Sequence, residues 1–443
     1  MVRKKTGRHN LRRRRGFRRI RIIPFEVRKI KTVKSFVNRH YYSLCFFVFF
    51  VLYLSIIPGD CKIWKIDGST YSFFVVDFSV GFCSRILQGA IFNLFFNTAN
   101  TTNVSIFWSV SFLFTAAVIC FFAEKVILKT EPEYRKAAIL TFLFFFAGPC
   151  TFAMHFRTIG LIEFFWVSCV VLFFLVLQKK QLWFLIVPIS VMMIFYYYAA
   201  IICYVPLLAI LLLYKISTLT DKKDRRYLTA VFFGAVILSV FFTFYFVFFE
   251  RSNLNYTMEE FDNILLSRGV ENNGLYYYNF AFYRHMDNFM DDPDINLPKV
   301  EESTSPLMAF KVILQQITVT LRLISFSHIT LIALLLILPI LIYIYRYIIK
   351  EMKNTRGNKQ KSFTLFCMAA LFPFTLITGL CLSTDVLRWI SNAFTPLFVT
   401  FIYAVHKNND WKTVHDDIKS IPLSYLIPYY LVYAFTTFLP DAK

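Results

Sequence analysis

The chain has 443 residues, 57% of them hydrophobic and 19% aromatic, with a mean hydropathy of +0.55 and a formal charge of +21. So much apolar residue excludes an ordinary water-soluble protein, whose surface must still meet solvent. The charge does not make a nucleic-acid binder: sixteen of the 48 Lys and Arg crowd into residues 1–40, a cytoplasmic arm that the anionic headgroups of membrane lipids would attract.

The first apolar run, 41–57, follows that arm. No small-residue cleavage site follows Leu52-Tyr53-Leu54, so the run reads as a retained anchor. Residues 58–103 form a first outer loop. It holds Cys61 and Cys83, whose shared side would allow a disulfide, and a short apolar stretch, 86–96, that would lie in the interface or re-enter it. Further runs occupy 104–122, 137–153, 161–177, 183–195, 198–214 and 227–249. Within the continuous stretch 182–214, Tyr196-Tyr197-Tyr198 predicts a break between two short helices. A polar outer segment, 250–323, could form a small domain. The last runs are 326–346, 363–382, 389–406 and 421–438.

The predicted fold is therefore all-α: a polytopic transmembrane helical bundle of about eleven spans. It comprises the basic arm 1–40, an N-terminal bundle 41–249, the outer segment 250–323 and a C-terminal bundle 324–443. With the N-terminus inside, segments 1–40, 123–136, 178–181, 215–226, 346–362 and 407–420 are internal. They carry 36 of the 48 Lys and Arg, and the net charge divides as +26 inside and −5 outside. Every inner segment carries at least two Lys or Arg, the residues the positive-inside rule counts.

No soluble-enzyme motif and no metal-ligand spacing occurs. The candidate chemistry is ionisable residues at the outer ends of spans, where charge is expensive and usually faces a cavity or a partner. Asp77 precedes Gly81-Phe82-Cys83-Ser84-Arg85. Asp77 could be a general base or metal ligand and Arg85 a phosphate binder, or the two could close the loop as a salt bridge. His155, Arg157 and Glu163 flank the turn between the third and fourth spans. Glu163 lies just inside an apolar helix, either as Arg157's partner or as an acid in a cavity. Asp385, Arg388 and Trp389 sit between the ninth and tenth spans. Asp385 and Arg388 share a helix face, so they form either a helix-end pair beside an interfacial Trp or an Arg aimed at a lipid phosphate. Tyr196-Tyr197-Tyr198 is either aromatic belt or a wall for a sugar or lipid.

The motifs Asp77…Gly81-Phe82-Cys83-Ser84-Arg85 and Asp385-Val386-Leu387-Arg388-Trp389 resemble a group of bacterial polytopic membrane proteins. Their layout is similar to the GT-C class of membrane glycosyltransferases. That resemblance implies a multi-pass enzyme of the bacterial plasma membrane, using a polyprenyl-phosphate-linked sugar donor and a glycan or glycolipid acceptor on the extracytoplasmic face. It assigns Asp77 and Glu163 catalytic roles, with a divalent metal as an open option. Arg85, Arg157, Asp385, Arg388 and Trp389 would bind substrate or phosphate. The rivals are a polysaccharide polymerase and a transporter or flippase of a lipid-linked glycan. A transporter would place its charges at mid-membrane and show repeat symmetry. The sequons at Asn100, Asn103 and Asn255 all face outward and leave a eukaryotic endomembrane origin open.

Overall fold

The computed structural model describes residues 36–37, 39–55, 74, 86–157, 163–249, 263–264, 266–269, 307, 310, 314, 317–318, 320–321, 327–355, 357–382 and 386–437. All regular structure among them is helical. The helices of the first half are α1 (Tyr41–Ser55), α2 (Ile86–Phe92), α3 (Thr101–Lys129), α4 (Arg135–Phe146), α5 (Met154–Arg157), α6 (Glu163–Leu177), α7 (Ile186–Tyr196), α8 (Ala200–Thr218) and α9 (Lys222–Phe248). Those of the second half are α10 (His328–Asn354), α11 (Lys359–Leu382), α12 (Val386–Asn408), α13 (Trp411–Lys419) and α14 (Leu423–Thr436).

Each of the eleven apolar runs carries one of these helices, and the 182–214 stretch divides between Tyr196 and Ala200. Among the described residues, five helices are both long and apolar enough to cross a membrane by themselves: α3, α8, α9, α10 and α11. The reason is geometric. At about 1.5 Å per residue, α4 with 12 residues and α7 with 11 fall well short of a hydrocarbon core of about 30 Å. α12 is long enough, but it carries Arg388, Asn392, His406 and Lys407 and is buried along most of its length. The outer surface stays apolar: Phe233, Ile237 and Phe241 on α9, Leu335 on α10, and Leu423 and Phe435 on α14 are all exposed. A water-soluble bundle would bury such rows, and the arrangement is compatible with an integral membrane protein.

α8 and α12 form the centre. α8 packs on α11, α9 and α12, so helices from both halves of the chain share one core. Prolines help bind them. Pro206 inside α8 has no N–H, which frees the carbonyl four residues back, at Ile202. Thr375 Oγ1 of α11 donates to that carbonyl at 2.9 Å. In the same way Pro373 frees Ala369, and Tyr345 of α10 donates to its carbonyl at 2.8 Å. Two helix breaks become two interhelical hydrogen bonds.

The six segments that charge assigns to one side meet at one end of the bundle. Glu124 accepts from the His40 ring at 2.8 Å and from the Ser43 amide at 2.9 Å. Lys125 reaches Gln178 at 3.4 Å, and Lys180 pairs with Asp224. The Tyr134 and His415 rings lie 5.4 Å apart. Asn408 donates to Glu351 at 2.9 Å, Glu351 pairs with Lys361 at 3.4 Å, and Tyr214 donates to Asn408. The opposite ends of these same helices include the Tyr196 end of α7 and the Arg388 end of α12.

Candidate functional site

At that opposite end, elements bearing the sequence candidates are joined by aromatic and polar contacts. α2, the helix directly after Arg85, lies against α7. Gln88 of α2 accepts a hydrogen bond from the buried Tyr196 hydroxyl at the end of α7. The Tyr196 ring stacks on Phe165, centroids 4.1 Å apart and planes 3° from parallel, two residues into α6 from Glu163. Tyr197 stacks on Trp166 at 6.1 Å, and Trp166 donates its indole N–H to the Met193 carbonyl at 3.2 Å. The Tyr196-Tyr197-Tyr198 break thus puts two rings against the start of α6, Tyr196 buried and Tyr197 half-buried.

Trp166 also leans on Tyr204 of α8, centroids 5.2 Å apart, and the Tyr204 hydroxyl is 3.2 Å from His155 Nε2. The same nitrogen is 3.0 Å from Thr395 Oγ1 on α12, which also donates to the Cys150 carbonyl at 3.3 Å. The direction of the two contacts to the ring follows the His155 tautomer. His155, in the motif before Glu163, thereby joins α5, α8 and α12 and is buried, 3% exposed. Its partners lie 49 and 240 residues away.

The individual candidates fall unevenly. Asp77, Arg85 and Asp385 lie outside the described residues. Arg157 ends α5 and Glu163 opens α6, with the turn between them and both side chains outside the description. Arg388 and Trp389 stand in the first turn of α12. Arg388 is half-buried. Trp389 is 6% exposed and lies across the backbone of Gly379 on α11, so its ring is packed between two helices. Cys61 and Cys83 are also outside the description, and the seven described cysteines are thiols. Among the described residues, no three His, Cys, Asp or Glu side chains cluster as metal ligands would.

A cavity of about 180 Å³ opens beside the Gln88–Tyr196 contact, between α2, α3, α6 and α7. Phe107, Trp108 and Phe165 line it, with Ser111 and Ser168 as polar points, and Ser168 is tied to Thr115 at 2.8 Å. It has the size and polarity for a small apolar group with one or two hydroxyls. Sequence reasoning missed Gln88, Tyr204 and Thr395. Gln88 was the detectable one, as the one amide within α2. No family model, no curated protein and no solved structure matches this chain.

Proposed function

We propose that the protein is a membrane glycosyltransferase of the GT-C type. In this reading it crosses the bacterial plasma membrane about eleven times, with the basic end in the cytoplasm. It transfers a sugar from a polyprenyl-phosphate donor to a glycan or glycolipid acceptor during cell-surface assembly. The observation that carries the reading is the convergence just described: α2 after Arg85, the start of α6 with Glu163, the Tyr196–Tyr198 break and α12 with Arg388 are linked at the end opposite the basic segments. Lipid-borne donors reach such a site from the bilayer, which accounts for the absence of a nucleotide-binding motif in the sequence.

The chemistry follows from residue type. Asp77 takes the proton of the acceptor hydroxyl as its oxygen bonds to the anomeric carbon of the sugar. The bond from that carbon to the donor phosphate oxygen breaks, and the electron pair leaves with the phosphate. Arg85 and Arg388 bind that phosphate and stabilise its growing charge. Arg157 and Glu163 border the site.

The test is Asp77→Asn, which keeps the shape and removes the base. Loss of a transferred proton lowers rate by about 10²–10⁴-fold, whereas an exposed ion pair contributes only about 0–1 kcal/mol to stability. The expected result is loss of the cell's surface glycan with expression and melting temperature near wild type. Normal glycan, or failure through misfolding alone, would leave Asp77 structural and turn the assignment toward a lipid-glycan transporter.

A further inference from the structure

A second cavity, about 410 Å³, shares only Tyr204 and Thr395 with the network described above. It runs between α3, α4, α6, α8 and α12, from Tyr204 and Thr395 toward the basic end. From Thr395 to Lys407 along α12 is about 18 Å at about 1.5 Å per residue, more than half of a hydrocarbon core of about 30 Å. Its walls are apolar, with Phe142, Phe145, Val170, Phe174, Leu207 and Val399 among them. Its far rim is cationic: Lys125, Lys129, Lys215 and Lys407 line it together with His406.

Lys407 is placed at an electrostatic disadvantage, from partial burial and from like charges nearby. Lys129 and Lys215 stand close enough to Lys407 to repel it. Among the described residues none of the four makes an ion pair with a carboxylate, although Lys180 and Lys361 at the same end do. Lys125 meets the Gln178 amide at 3.4 Å and the Phe121 and Phe122 rings at 4.5 and 5.9 Å, and Lys407 sits 5.7 Å from the Tyr403 ring. A repelling cluster around the mouth of an apolar shaft is relieved by an anion carrying a hydrocarbon tail.

We infer that this cavity binds an anionic phospholipid from the leaflet at the basic end. Its phosphate sits among Lys125, Lys129, Lys215 and Lys407, and one acyl chain runs along α6 and α12 toward Tyr204 and Thr395. The lysines lie at the basic end, away from Gln88 and Tyr196, so the site does not depend on the glycosyltransferase reading.

The test uses the full-length protein, purified in nonionic detergent, stripped of lipid and offered equal amounts of phosphatidylglycerol and phosphatidylcholine. Bound lipid is read by native mass spectrometry. Phosphatidylglycerol should be retained at least about 10-fold in preference, since each lysine near an anionic surface contributes about 1 kcal/mol. Lys129→Gln, Lys215→Gln and Lys407→Gln together should reduce phosphatidylglycerol to the level of phosphatidylcholine. Val399→Trp, which fills the shaft without touching the charges, should reduce both lipids, and Val170→Phe serves as the second filling variant if that protein does not fold. Asp77→Asn should leave retention unchanged. Equal retention of the two lipids by wild type would overturn the inference. So would displacement of phosphatidylglycerol by inorganic phosphate, or retention undiminished in the filled and charge-neutral variants. Tighter binding of an isoprenyl phosphate would overturn the choice of phospholipid.

Discussion

Replacing Gly379 with alanine tests how α11 and α12 fit together. A Cβ built at Gly379 would lie 2.2 Å from Trp389 Cδ2 and Cε3 and 2.7 Å from Cγ. Carbon atoms in contact prefer about 3.5–4.0 Å, so one partner must move by more than about 1 Å. These atoms are the fused body of a buried indole, which cannot swing aside as the tip of a lysine would. Overpacking of this kind costs about 1–3 kcal/mol, and the severity of the overlap puts it at the upper end. Alanine returns about 1 kcal/mol as the better helix former, leaving a net loss of about 2 kcal/mol. Gly234, inside α9, is the control: its added Cβ would meet only Val187 Cγ2, at an ordinary 3.5 Å. Gly234→Ala should therefore stabilise by about 1 kcal/mol. The two variants should differ by about 3 kcal/mol, which is about 3 °C for this length at about 2 cal/mol/K per residue. The assay is thermal melting of the purified variants in one detergent. A Gly379→Ala/Trp389→Leu double variant should lose less than the two single losses added together, because the clash is removed with the ring. If Gly379→Ala melts at or above Gly234→Ala, the close packing of Trp389 on α11 is wrong.

Other sites give sharp expectations too. Thr375→Val removes the donor to the carbonyl that Pro206 leaves free, and should cost about 1–3 kcal/mol of stability because Ile202 O is then buried without a partner; melting of Thr375→Val against Thr375→Ser, which restores the hydroxyl, measures it. His155→Phe should lower stability by a similar about 1–3 kcal/mol, since both Tyr204 and Thr395 lose a partner; a variant that melts like wild type would show that this network does not hold α5, α8 and α12 together.

The parts of this architecture that could be read from the sequence are those that charge and length encode. Basic loops placed six segments on one side, and His40–Glu124, Lys180–Asp224, Tyr134–His415 and Asn408–Glu351 bring those segments together at one end. The Tyr196-Tyr197-Tyr198 break was legible because three ring hydroxyls interrupt an apolar run. Facing was not legible. A helix such as α6, apolar on every side, carries no polarity difference to say which face meets protein. Which face packs is decided by volume, as where Gly379 admits Trp389 and Gly148 admits Tyr433. The lysines 125, 129, 215 and 407 entered the sequence reading only as topogenic charge. Their convergence on one cavity depends on three helices whose relative rotation no periodicity reports.

The claim on which both the outer site and the lipid cavity depend is that the two ends of the bundle lie on opposite sides of the membrane. In a background lacking native cysteine, single cysteines at Asn272, in the outer segment, and at Asn354, the last residue of α10, would be exposed in intact cells to an impermeant thiol reagent. The account predicts labelling at position 272 from outside, and labelling at 354 only after the cells are opened. Labelling of both positions in intact cells, or of neither until the membrane is broken, would contradict it.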